Sequence, residues 1–161
     1  MKAAIIMGSK SDYAVVQKAG EVLEGFGVET ETRIISAHRT PKAAAEFAEK
    51  AEENGIEVII AAAGKAAHLA GVLAASTPLP VIGIPMKSST LDGLDSLLSV
   101  VQMPKGIPVA TVAIDGAENA ALLAVQILSL KYPALRAAMK EYKANMEKEV
   151  IAIDEEFRNG K

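Results

Sequence analysis

The chain has two histidines, and one of them, His38, lies beside Arg39 in "IISAHRTP", where an apolar β-type run breaks off and Pro41 announces a helix. An imidazole is the side chain whose charge changes between pH 5 and 8. A neighbouring guanidinium can grip a phosphate through two parallel hydrogen bonds, or lower the imidazole's proton affinity. The plainer reading of the same residues is Ser36 or Thr40 as a cap, Arg39 solvated and His38 filling a gap. An earlier loop, "MGSKSD", has Gly8 for close backbone approach and the hydroxyls of Ser9 and Ser11 beside a helix start. Free amides and the helix dipole favour an anion there, although Ser11 or Asp12 as an N-cap accounts equally well for these residues. The loop is neither a Walker loop nor G-x-G-x-x-G, so the fingerprints of ATP and dinucleotide binding are missing. A third loop, "AAAGKAAHLAG", sets Gly64 and small residues ahead of His68. His68 reads as a ligand contact or as a packed helix residue. Two histidines on separate loops, with no third nitrogen or carboxylate in motif spacing, do not make a zinc site. Ser88, Ser89 and Thr90 form a polar loop for which spacing indicates capping and nothing more.

The elements that must carry these loops alternate. Short apolar runs at Ala3–Met7, Glu31–Ile35, Glu57–Ala62, Pro80–Ile84 and Pro108–Ile114 predict strands. Helical patterns fall at Asp12–Gly27, Pro41–Asn54, Ala66–Ser76, Leu91–Val101 and Ala117–Lys131. The alternation predicts a parallel sheet covered on both faces, with ligands bound outside the carboxyl ends of its strands. Asn54-Gly55 reads as a helix end, and Thr40-Pro41 as a helix start. After Pro133, apolar residues recur from Leu135 to Phe157 at spacings of three and four, predicting an amphipathic helix of roughly 36 Å at 1.5 Å per residue. The preceding "NAALLAVQILSL" is apolar nearly all round, which predicts burial on every side. Together they suggest an oligomer, the alternative being a monomer with its last helix lying across its own sheet. No linker, repeat or low-complexity tract divides the 161 residues, so one domain, residues 1–161, is expected.

Half the residues are apolar, yet there are only three Phe, three Tyr and no Trp, so the core must be built from Ala, Val, Ile and Leu. A formal charge of −3 gives no basic footprint for nucleic acid. The absence of cysteine excludes disulfides, thiol nucleophiles and thiolate metal sites. The N-terminal apolar run is too short for a signal peptide, and no window approaches a membrane span. A soluble, cytoplasmic protein is expected.

Six segments in order, "IIMGSKSD", "ISAHRTP", "AGKAAHLAG", "LPVIGIPMKS", "GLDSLLSVVQMPKGIPVATVAI" and "NAALLA", closely resemble the 5-(carboxyamino)imidazole ribonucleotide mutase family of purine biosynthesis, long called the phosphoribosylaminoimidazole carboxylase catalytic subunit. They run from residue 5 to residue 124. The "AAHL" loop is similar to the class I mutases rather than to class II carboxylases that use free carbon dioxide. The resemblance implies a flavodoxin-like three-layer α/β/α sandwich with a central parallel sheet and a long C-terminal helix. That helix, about residues 133–158, would be an oligomerisation arm in a homo-octamer whose sites form where subunits meet. It implies that Ser9, Ser11 and Arg39 bind the 5′-phosphate and that Asp12 contacts the ribose. Ser36, Ala63, Gly64, Ala67, His68 and Leu69 would line the pocket for base and carboxylate, and His38 would be the catalytic general acid/base. At two positions the chain departs from the usual family residues: Lys65 stands in place of Gly, and Ala70 in place of Pro.

The implied reaction moves a carboxylate from the exocyclic nitrogen of the nucleotide to a carbon of its imidazole ring. Carbon dioxide is released in a closed pocket, His38 protonating the departing nitrogen and later removing the ring proton. Ala66, Ala67 and Gly71 suit a tight, dry chamber. This chemistry requires no metal, nucleotide or organic cofactor, and a separate ATP-dependent synthetase would supply the labile substrate. The close alternative is a class II type carboxylase joining free carbon dioxide to aminoimidazole ribonucleotide. Receiver-domain and flavin-binding readings fit poorly, since serines occupy the first loop and Phe26, Phe47 and Phe157 all fall in helices.

Overall fold

The computed structural model describes residues 1–89 and 91–160. Its five strands are β1 (Lys2–Met7), β2 (Glu29–Ile34), β3 (Val58–Gly64), β4 (Val81–Met86) and β5 (Ala110–Thr111). They form one parallel sheet in the order β2-β1-β3-β4-β5. This is the doubly wound, flavodoxin-like order, which reverses beside β1 and opens a crevice at the carboxyl ends of β1 and β3. The helices are α1 (Tyr13–Gly25), α2 (Pro41–Lys50), α3 (Leu69–Ala75), α4 (Leu94–Val101), α5 (Ala117–Leu128) and α6 (Pro133–Asn159).

The inner strands are apolar throughout because both faces are covered. Ala3, Ile5 and Met7 pack with Val58, Ile60 and Ala62 against α1, α5 and the start of α6. Their alternates Ala4, Ile6, Ile59 and Ala61 pack against α2, α3 and Val100 of α4. Period-two alternation sends neighbouring residues to opposite sides of the sheet, so a buried strand must be apolar at every position. Strand β2, at the sheet edge, is half exposed and carries Glu, Thr and Arg accordingly.

Three expectations are corrected. Only Ala110 and Thr111 of the run Pro108–Ile114 pair with β4. Helix α3 begins at Leu69 rather than Ala66, because Lys65 takes a left-handed backbone, φ +58°, and the next residues form tight turns. Helix α5 is not buried on every side: Leu122, Leu123 and Ile127 are half-buried, and Leu130 just beyond it is 78% exposed. Along the stripe of α6, Leu135 and Met139 dock on the chain's own core, and Tyr142 meets the Phe26 ring. Farther out, Val150 and Ile153 are 67% and 65% exposed.

The corner between α5 and α6 is tied to the amino end of β3. Tyr132 Oη donates to Glu57 Oε1 at 2.7 Å, and Lys131 Nζ lies 3.1 Å from Oε2. Burial opposes ionisation of Glu57, but the hydrogen bonds from Tyr132 and Lys131 outweigh it and hold the carboxyl below its usual range. A group with a depressed folded pKa stabilises the fold above its unfolded value and loses that contribution as pH falls through the folded one. Glu57→Gln is therefore expected to lower the melting temperature at pH 7. The difference should close as the pH falls through the lowered Glu57 pKa, as thermal melts at neutral and acid pH will show.

Candidate functional site

Parallel strands deliver all their carboxyl-end loops to one edge, and there a cavity of about 660 Å³ opens. The loop after β1 turns at Gly8, whose amide donates to Ala62 O at 3.0 Å. It then forms a single 3-10 turn, Lys10–Asp12, capped by Ser9, which accepts from the Ser11 amide and from Ser11 Oγ at 2.9 Å. Two hydroxyls thus sit together at the head of α1. Asp12, which the sequence offered as a cap, makes no side-chain capping bond to α1. Its carboxyl is pushed above the usual range by burial, only partly offset by hydrogen bonds from Ser11 and Ser9.

The loop after β2 is a closed five-residue turn. The Thr40 amide donates to Ser36 O at 2.8 Å, Thr40 Oγ1 accepts from the Ser36 amide, and Ser36 Oγ accepts from the Arg39 amide. This knot accounts for the order Ser-x-x-Arg-Thr and throws His38 and Arg39 outward. Arg39 Nη2 donates to Gly8 O at 2.9 Å, so the guanidinium reaches across to the serine loop. His38 Nε2 lies 2.9 Å from His68 Nδ1, with the rings edge to face at 5.0 Å. One of these nitrogens must donate and the other accept. One hydrogen bond thus joins the two imidazoles.

The loop after β3 positions His68. Lys65 occupies left-handed space, which costs on the order of 1–2 kcal/mol for a residue with a Cβ. Its amide donates to Ser96 Oγ at 3.1 Å. Ser96, fully buried in α4, donates in turn to Met86 O at 2.6 Å, joining the β3 and β4 loop ends.

Of the residues singled out from sequence, Ser9, Ser11, Asp12, Ser36, His38, Arg39, Ala63, Gly64, His68 and Leu69 line this one cavity. Ala67 does not line it and is buried, 1% exposed. Ala66 lines it but is exposed, and Gly71 opens instead onto the adjacent apolar groove. Ala70, which stands in place of the family's Pro, is buried in the first turn of α3. Ser88, Ser89 and Lys87 also line the cavity, a role not visible in their spacing; Thr90 lies outside the described residues. The dry chamber is not supplied by the single chain, since His38, Arg39 and His68 all face solvent. No group of three or more potential metal-ligating side chains occurs among the described residues, and no helix there is long and apolar enough to cross a membrane.

A family model described as AIR carboxylase matches residues 2–149. The chain is 63% identical over 147 residues to the N5-carboxyaminoimidazole ribonucleotide mutase of Pyrococcus abyssi, covering 91% of this chain and 84% of that protein. It is 59% identical over 150 residues to the mutase of the same name from Thermotoga maritima, covering 93% and 88%. The crystal structure of Treponema denticola PurE superposes with a TM-score of 0.88 at 30% identity, covering 96% of this chain and 97% of that one.

Proposed function

We propose that this chain, which belongs to the AIR carboxylase family, is an N5-carboxyaminoimidazole ribonucleotide mutase of purine biosynthesis. The observation that carries the reading is the paired imidazoles of His38 and His68 beside an arginine anchored on the serine loop, all in one cavity. Ser9, Ser11 and Arg39 hold the 5′-phosphate at the head of α1, and Asp12 takes the ribose hydroxyls. The heterocycle then lies towards the histidines, bordered by Ser36, Ala63, Gly64 and Leu69, with Ala67 buried in the loop that carries His68.

Protonated His38 gives its proton to the exocyclic nitrogen as the nitrogen–carbon bond breaks, leaving the free amine and carbon dioxide. The ring carbon attacks the carbon dioxide, and neutral His38 removes the proton from that carbon, restoring aromaticity and the imidazolium. The proton balance is zero, and no cofactor enters. His68, hydrogen-bonded to His38, keeps the proton within reach through both steps. Proton transfer of this kind contributes typically about 10²–10⁴-fold, and holding the two fragments together supplies the rest.

Retention of carbon dioxide requires a cover, and other copies of the chain are the proposed one. Beside the cavity a groove of about 510 Å³ is lined by His68, Gly71, Val72, Leu98 and Met103, and Leu94, Leu98 and Val101 of α4 are exposed next to it. With the outer stripe of α6, these faces support a homo-octamer with α6 as its arm; the number eight rests on family resemblance. A cytoplasmic location and supply of substrate by an ATP-dependent synthetase belong to the same reading. The test offers each substrate separately, without ATP. Carboxyaminoimidazole ribonucleotide is expected to rearrange without taking label from bicarbonate, in particles of about eight times 16.8 kDa by light scattering. Turnover only from aminoimidazole ribonucleotide and carbon dioxide would make it a carboxylase instead. A monomeric mass would remove the proposed cover.

A further inference from the structure

We infer that Lys65 is a specificity residue that holds the migrating carboxylate, an inference resting on the mutase reading above. The substrate is anionic at both ends, with a phosphate on the ribose and a carboxylate on the exocyclic nitrogen. Arg39 and the two serines answer the first. Around the remainder of the cavity the lysines are Lys65 and Lys87. Lys87 is already engaged: its ammonium lies 3.4 Å from Asp92 Oδ1, and its amide donates to Asp115 Oδ1 at 2.8 Å. The Lys65 ammonium makes no ion pair or hydrogen bond with any described residue, while its backbone is fixed. The φ of +58°, the amide bond to buried Ser96 and the Lys65 carbonyl accepting from the Ala67 amide at 2.8 Å pin its root. That root stands three residues before His68, whose ring is bonded to His38. A free cation on a rigid, strained turn at the heterocycle end of an anion's pocket is placed to meet the second anionic group. Strain retained at a pocket rim points the same way.

The chemistry sets what this contact does. When the carboxylate becomes neutral carbon dioxide, the attraction to the ammonium disappears. Lys65 therefore favours bound substrate and product over the carbon dioxide intermediate, and its binding energy appears in KM and not in kcat. Lys65→Asn removes the charge while tolerating the left-handed backbone. In that variant KM for carboxyaminoimidazole ribonucleotide is expected to rise about tenfold, as for loss of one charge-assisted bond at about 1.4 kcal/mol per tenfold. The kcat is expected to hold or rise, and affinity for aminoimidazole ribonucleotide, which lacks the carboxylate, to change less than about twofold. Lys65→Arg should restore KM, and Lys65→Gly, which suits the turn without strain, serves if the Asn variant misfolds. Equal weakening of both nucleotides, or a fall in kcat at unchanged KM, would overturn the role. Failure of the unaltered enzyme to bind either nucleotide would instead overturn the mutase reading beneath it.

Discussion

His38→Asn is expected to leave a folded protein of unchanged particle size whose turnover falls about 10²–10⁴-fold, the range that a positioned general acid/base contributes. Its effect on stability should be small, because the turn that presents His38 is closed without it. Ser36, Arg39 and Thr40 make the closing bonds, and the His38 ring meets His68. Nothing in the core rests on an imidazole that faces solvent. Asparagine retains an amide able to bond His68 but cannot release or accept a proton at working pH. Substrate binding should change little, since the proposed phosphate grip is that of Ser9, Ser11 and Arg39. The loss should therefore fall on kcat, and steady-state kinetics together with a thermal melt separate the two effects. Undiminished turnover in a well-folded variant would remove His38 from the proton path. His68→Ala is the informative companion: kcat should fall less steeply, because the bond to His38 is lost while the proposed proton carrier remains.

How far the sequence reached depended on whether a feature was local. The runs in β1, β3 and β4 were legible because strands buried on both faces have no polar positions. Helix α6 was legible because its stripe keeps helical spacing from Leu135 to Phe157. Strand β5 was overextended because Val109 and Val112 carry β-type side chains, whereas only Ala110 and Thr111 are in register with β4, the Val112 amide making a last bond to Gly83 O at 3.2 Å. Burial of α5 was overestimated because apolar character says what a face can cover, not which partner covers it. In the site, residue types were legible and pairings were not. His38 and His68 stand on loops thirty positions apart, and only the strand order, with β2 and β3 flanking β1, brings them to 2.9 Å. Ser96 was invisible, one of two serines in α4, until its burial and its bonds to Lys65 and Met86 set it apart.

The dependence of site on core suggests a substitution remote from the chemistry that should still damage it. Gly83 lies in the middle of β4, opposite Ala61 and Thr111 on its neighbours. A Cβ there would clash with Val100 Cγ1, stand 3.0 Å from Val109 Cγ1 and 3.3 Å from Ala70 Cβ. Val100 and Val109 are β-branched and stiff at χ1, so the added methyl must push α4 off the sheet. Overpacking of this kind costs typically about 1–3 kcal/mol, or roughly 2–12 °C in melting temperature for a chain of this size. Val100 is one turn beyond Ser96 on α4, and Ser96 ties the left-handed Lys65 turn to Met86. Displacing the helix loosens that tie, so Gly83→Ala is expected to lower kcat/KM as well as stability, although it touches no residue of the cavity. Gly20→Ala is the control. Its Cβ would meet only Ile5 Cδ1, at 3.8 Å, and on α1 it should raise the melting temperature slightly through the better helix propensity of alanine. A Gly83→Ala protein with normal melting and normal kinetics would mean that α4 can yield without disturbing the β3 loop, and that Ser96 is not the link between core and site.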